Sequence, residues 1–202
     1  MGGVFKAGRM GLWSPVMTAI VALPVIETPT LLLREIQARD VRNLAAFMTQ
    51  ARYQRHIAHR LRDEAAVADF VRRQVAVQGD RRRQIFHLAA EEKLSGDVVG
   101  EGFIIAHGGN DYEIGWGVHP AMWSMGLGTE IGRALLAMGF ERLKAKSVWC
   151  KVMAPNGASH TVAQRVGMAE SGSQSDYPVG QGRYERVSLY RLSEPDYFEM
   201  PY

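Results

Sequence analysis

From residue 30 onward the chain switches repeatedly between two apolar periodicities, and the switches mark out its elements. LLLREI, residues 31–36, is a short apolar run that predicts a strand. RDVRNLAAFMTQAR, residues 39–52, then spaces Val41, Leu44, Ala45 and Met48 along one face of a helix, with Asp40 placed to cap it. A second helix is predicted over 63–78: Asp63 caps it, Ala66, Val67, Phe70, Val71 and Val75 form its apolar stripe, and Arg72 and Arg73 turn toward solvent. Three extended runs follow, QIFHLAAE, DVVGEGFIIAH and YEIGWGVH, separated by the turn-forming KLSGD and HGGND, which predicts an antiparallel meander. A long helix is expected over 126–143, a buried strand at SVWCKVM, a helix opening at Asn156, and a last strand at RYERVSLYRL. In that strand the alternation of Tyr184, Arg186, Ser188 and Tyr190 suits a sheet edge. The pattern amounts to one mixed α/β (α+β) sheet, with no repeat or linker dividing it.

Composition narrows the classes. A chain of 202 residues that is 47% hydrophobic buries a substantial core as one domain. Its net charge of +3 and the lack of a basic-aromatic motif argue against a nucleic-acid partner. Cys150 is the single cysteine, which excludes an internal disulfide and suits a reducing, cytoplasmic setting. Residues 10–26 are apolar with Lys6 and Arg9 ahead of them, as in a leader. Pro15 and Pro24 interrupt the run, no A-x-A site follows, and it is too short to span a bilayer. The expectation is therefore an N-terminal extension over 1–27, with Met17 an alternative start, a folded domain over 28–202, and no membrane partner.

HPAMWSMGLGTE, residues 119–130, places two glycines one residue apart where a polar stretch enters a helix. A dinucleotide loop needs a third glycine at position 131, which is Ile131, and a P-loop needs a lysine after the last glycine, where Thr129 stands. What survives is a helix start with unpaired N–H groups and a positive dipole end, suited to a phosphate or diphosphate; a plain tight turn is the alternative.

The surrounding residues carry a resemblance. Glu113, Ile114 and Gly115, then Pro120 and Trp123, then Gly126, Gly128, Thr129 and Glu130, and finally Asn156, Ser159, Val162, Ala163 and Gly167 follow one another as in the GNAT acetyltransferases, in particular their ribosomal-protein-alanine N-acetyltransferase branch. TPTLLLRE, residues 28–35, is similar to that branch's first strand, so the resemblance covers about residues 28–192. It implies a mostly antiparallel sheet of about seven strands with about four helices. In that sheet two neighbouring parallel strands, here ending at His119 and running over 147–153, splay apart to admit an acyl-CoA. It also implies an enzyme that transfers an acetyl group from acetyl-CoA, its co-substrate, to a primary amine by direct attack through a tetrahedral intermediate. A CoA-binding regulatory module without efficient catalysis is the alternative.

On this reading Gly117 and Val118 offer backbone groups to the pantetheine, Met125, Gly126, Leu127, Gly128, Thr129 and Glu130 offer N–H groups to the diphosphate, and Asn156 contacts the pantetheine. Gly115 and Gly117 suit a bulged strand close to a ligand. Ser159 resembles the branch's proton donor to the CoA sulfur. Asp176 in SQSDYP occupies the position of its general base, with Glu113 second, Glu101 and His119 as competitors, and Tyr177 as another proton donor. The chain departs from the pattern at Ser124 and Met125, where a glycine and a basic residue are usual. The acceptor is expected against ARYQRHIAHRLRDE, residues 51–64, which carries Arg52, Arg55, His56, His59, Arg60 and Arg62. A protein N-terminus, a small amine and an amino-sugar all stay open, as does a homodimer. His56 and His59 lack a third ligand, so no metal is expected.

Overall fold

A computed structural model describes residues 23–201 apart from His59 and Gln181, so the apolar run around Met17 and most of the extension lie outside the described residues. The strands are β1 (Ile26–Glu27), β2 (Leu31–Glu35), β3 (Ile85–Glu92), β4 (Val98–Ala106), β5 (Asp111–Val118), β6 (Ser147–Met153), β7 (Ala169–Pro178) and β8 (Tyr184–Ser193). They form one eight-stranded sheet in the order β1-β2-β3-β4-β5-β6-β8-β7. Every pairing is antiparallel except that of β5 with β6. The predicted meander is β3-β4-β5. The sheet reaches two residues into the stretch assigned to the extension, because Ile26 and Glu27 pair with Leu33 and Leu32.

The α-helices among the described residues are α1 (Val41–Met48), α2 (Ala51–Gln54), α3 (Glu64–Val77), α4 (Leu127–Ala137), α5 (Gly157–Arg165) and α6 (Glu194–Glu199), six where about four were expected. The first helix divides after Met48, leaving the short α2 beside the site. α4 ends at Ala137 and continues as one π-helical turn over Met138–Arg142. Asp63 caps α3 as its position predicts, accepting from the Ala66 N–H at 2.8 Å.

Asp40 stands at the N-cap position of α1, as expected, but its side chain makes no capping hydrogen bond to that helix. Its carboxylate takes both terminal nitrogens of Arg34 at 2.7 and 2.8 Å and the Gln37 N–H, and Arg34 also reaches Glu91, so a buried ion network claims the oxygen a cap would need. The predicted edge position of β8 is also corrected. β8 lies inside, between β6 and β7, and the polar, exposed AESGSQSDYP of β7 forms the edge.

Two cores sandwich the sheet. On the back, Ile131 and Leu135 of α4 press onto Gly100 and Gly102 of β4, where a Cβ would lie 3.1 Å from their methyls, so two missing side chains set how closely the helix docks. On the front, Leu44, Phe47 and Met48 of α1 pack with Val67 and Val71 of α3 over Ala89 and Val98. Each such fully buried aliphatic contributes about 1.5–3 kcal/mol relative to exposure. The stripe of α3 is narrower than predicted: Val75 is exposed, and Phe70 turns into the central cleft.

Candidate active site

β5 and β6 pair only through Asp111–Ser147, Tyr112–Val148 and Glu113–Trp149, and from Ile114 and Cys150 onward they separate. The gap opens into a cleft of about 1350 Å³ that runs from the loop before α4, past Asn156 and Ser159, to the front of β3 and β4. On its other edge β5 stays in register with β4, and the N–H of His119 donates to Val99 at 2.8 Å. Antiparallel ladders alternate, so the backbone of Val118 turns toward the gap and that of Gly117 toward β4. Gly117 is thus spent in the ladder. What it gives the cleft is space, because a Cβ there would lie 2.0 Å from the hydroxyl of Tyr53.

The loop ahead of α4 is an amide nest. Ser124 and Gly126 both have left-handed backbones, with φ of 67° and 85°, and Gly126 serves as the N-cap of α4. The N–H groups of Met125, Gly126, Leu127 and Gly128 have no hydrogen-bond partner among the described residues. Those of Thr129 and Glu130, also expected to face a diphosphate, do not: both donate to the Gly126 carbonyl, at 3.0 and 3.1 Å, as the first bonds of the helix.

The Glu130 side chain works elsewhere. It accepts from the Thr28 hydroxyl, from the N–H and hydroxyl of Thr30 at 2.8 Å, and from the Leu31 N–H. Burial acts to raise its carboxyl, and these hydrogen bonds outweigh it and hold it low. Glu130 therefore anchors the entry to β2.

Trp123 donates its ring N–H to the Val118 carbonyl at 2.8 Å, so that carbonyl is taken and only the N–H side of Val118 is available. The Arg52 guanidinium lies 4.8 Å from the centre of the Trp123 ring, without an ion-pair partner among the described residues. A cation from α2 thus stands beside the loop in which Met125 replaces the usual basic residue. Asn156 caps α5 as predicted, its side chain accepting from the Ser159 N–H at 3.2 Å, and both residues line the cleft.

The carboxylates sort themselves. Asp176 sits exposed on the bulge between Gln174 and Tyr177, where β7 gains residues unmatched by β8. It does not line the cleft; alternation puts its neighbour Tyr177 inside instead. Glu113 lies where the gap begins, held by Lys151 at 3.2 Å and His107 at 3.1 Å. Lys151 in turn sits over the rings of Trp149 and Tyr177 at 5.1 and 5.0 Å. His119 caps the turn at Pro120–Met122, its Nδ1 accepting from the Ala121 N–H at 3.0 Å, which occupies the nitrogen a base would use.

Glu101 is different. It projects beside Gly117, with one oxygen accepting from Tyr53 at 2.8 Å; the other is buried without a hydrogen-bond partner among the described residues and lies 3.6 Å from Nε2 of His87. Burial raises its carboxyl, and the Tyr53 hydrogen bond only partly offsets this. Burial, then the Glu101 charge, pushes the Tyr53 phenol well up. Tyr53 was not legible as a site residue: its only sequence signal is an aromatic in a segment dense in arginine.

Comparison with known proteins agrees with this geometry. The Acetyltransferase (GNAT) domain model matches residues 30–169. YoaA of Bacillus subtilis strain 168, an uncharacterised N-acetyltransferase, is 22% identical over 174 residues, which is 85% of this chain and 98% of the relative. The acetyltransferase (GNAT family) from Bacillus anthracis superposes with a TM-score of 0.76 at 19% identity, covering 85% of this chain and 99% of its own. RimL, a ribosomal L7/L12 α-N-protein acetyltransferase in complex with coenzyme A, superposes with a TM-score of 0.73 at 16% identity, covering 84% and 97%. At such identities the superpositions show a shared fold, and the domain match decides membership. The chain belongs to the GNAT acetyltransferase family, as an acyl-CoA-dependent N-acetyltransferase whose co-substrate is acetyl-CoA.

Proposed function

We propose that the protein transfers the acetyl group directly to a primary amine held beside Glu101. The observation that carries this is the buried Glu101 oxygen without a hydrogen-bond partner, on the strand next to the backbone edge that β5 turns into the gap. The bound thioester supplies an activated acyl carbon. The Met125–Gly128 amides and Arg52 receive its diphosphate, the Val118 N–H polarises its carbonyl, and Asn156 meets the pantetheine.

Glu101 takes a proton from the incoming ammonium, and the raised carboxyl suits a base that works near neutrality. As the carbon–sulfur bond breaks, Ser159, with Tyr177 as second candidate, gives its hydroxyl proton to the departing sulfur and is reprotonated by the proton that the newly bonded nitrogen sheds, so the products are the amide and free CoA thiol. An acyl-enzyme on Cys150 is disfavoured, since that thiol is buried against Met168 and pushed up to about 12 by burial and by Glu113.

Thiol release from acetyl-CoA, followed across a panel of amines and N-terminal peptides, tests the reading. Ser159→Ala is expected to bind acetyl-CoA normally in calorimetry while kcat falls by roughly 10²-fold. An unchanged kcat removes Ser159 from the mechanism. Tight binding with no turnover for any amine leaves only a CoA-binding module.

A further inference from the structure

The acceptor end of the cleft has a definite chemistry, and we propose that it takes a primary amine carried on an apolar body, aromatic or branched, in preference to a polyamine or an amino-sugar. This rests on the acetyl-transfer reading above. The strand registers lay the front of the sheet out in rows. Ala89, Glu101 and Gly117 form the innermost row, His87, Phe103 and Gly115 the next, and Ile85, Ile105 and Glu113 the outermost. An amine poised at Glu101 must extend across the second row, and two residues of strand give that stretch a length of about 6.6 Å.

The polar atoms of the second row belong to His87, and they are engaged within the wall: Nε2 lies 3.6 Å from Glu101 Oε2 and Nδ1 faces Gln74 at 3.3 Å. The Phe103 ring fills the space above Gly115, where a Cβ would lie 2.3 Å from two of its ring carbons, so the missing side chain lets the ring form the floor. His87 is enclosed by Phe70 and Phe103, with ring centroids at 4.9 and 5.5 Å. Burial lowers its pKa to about 4, so this imidazole is neutral where the enzyme works and its Nδ1 is left with Gln74. In the outermost row Ile85 is 44% exposed beside Ile105, and both line the cleft.

Sugar hydroxyls laid along this wall would lose water without gaining partners, at a cost for each. A polyamine would need a second carboxylate. The nearest in these rows, Glu113, is already held by Lys151 and His107; farther out, Glu185 of β8 acts on the cleft-lining His56, but the rim there also bears Arg55 and Arg73 without ion-pair partners among the described residues. An apolar body buries the exposed Ile85 face and meets the aromatic floor.

The test compares phenethylamine, a peptide beginning with Phe, a peptide beginning with Ser, spermidine and glucosamine by thiol release, with the acetyl-CoA Kd measured separately by calorimetry. At least one of the two aromatic amines should exceed the other three by roughly 10-fold or more in kcat/KM. Which of them leads tells a free amine from a polypeptide N-terminus. Ile85→Glu, at an exposed position, should raise KM for the preferred aromatic amine about 10-fold without moving the acetyl-CoA Kd. Turnover of spermidine, glucosamine or the Ser peptide at an equal rate, turnover of none of the five, or indifference to Ile85→Glu overturns the assignment. Turnover of any amine outside the aromatic pair keeps the acetyltransferase reading standing, whereas failure to bind acetyl-CoA overturns that reading itself.

Discussion

Glu101 is held where its charge is least welcome. One oxygen accepts from the Tyr53 hydroxyl; the other has no hydrogen-bond partner among the described residues and faces, at 3.6 Å, the imidazole of His87, whose pKa burial lowers to about 4. Its folded pKa is raised, so the folded state binds this proton more tightly than the unfolded chain does. The stability that Glu101 contributes is therefore present in acid and lost as pH rises through the raised value. Glu101→Gln should accordingly raise the melting temperature at pH 8, by roughly 1 kcal/mol or more in stability. It should also cut kcat by about 10²-fold and remove the acid limb of the wild-type profile, in which kcat/KM falls as pH drops and Glu101 takes up its proton. Differential scanning fluorimetry and a pH–rate series check both. The sequence shows Glu101 only as a carboxylate in an alternating strand. Its distinction from Asp176 and Glu113 is made by Tyr53, which lies 48 positions away, and by the Lys151 and His107 contacts that occupy Glu113, and neither can be read from local pattern.

The turn into α4 shows what an element contributes beyond its residue types. Gly126 has open space around it, so a Cβ would clash with nothing, but its φ of 85° is the left-handed conformation that a side chain disfavours. Gly126→Ala should cost about 1–2 kcal/mol of backbone strain and should weaken CoA binding more than binding of acetyl-pantetheine, which lacks the diphosphate. Paired calorimetric titrations separate the two effects. The helix start and its glycines were legible because N-terminal signals are local. The number of free amides was not: which N–H groups stay outside depends on Gly126 becoming the cap, and its carbonyl then claims Thr129 and Glu130. Asp40 holds the N-cap position of α1 without a capping hydrogen bond for a similar reason, since Arg34 reaches its carboxylate across a turn that no periodicity describes. The interior place of β8 depends on β7 adding outside it, a long-range choice that its own alternation does not encode.

At the scale of the molecule, the β1–β5 and β6–β8–β7 parts of the sheet meet through three residue pairs, backed by α4 and α5. That the chain forms one mixed sheet was legible in the alternation of helix and strand patterns, whereas the parting of two neighbouring parallel strands was implied only by the resemblance to the GNAT acetyltransferases. The depth of the opening comes from tertiary packing. Backbone amides over 114–118 and 150–153 that face the gap should exchange hydrogen faster than those of the β3–β4 ladder, and CoA should protect them selectively, read by mass spectrometry. Saturating CoA at about 100 times its Kd should add close to 2.7 kcal/mol to stability.

Those two unzipped borders have a further consequence outside the chemistry. Each borders the cleft as a row of backbone groups without its neighbour strand, apart from the Val118 carbonyl that Trp123 engages. When its thioester carrier is scarce, every copy holds a dormant template for mispairing with another. Incubated near its melting temperature, the empty protein should therefore scatter light sooner than a charge-matched control stabilised by salt alone, and desulfo-CoA should postpone the onset.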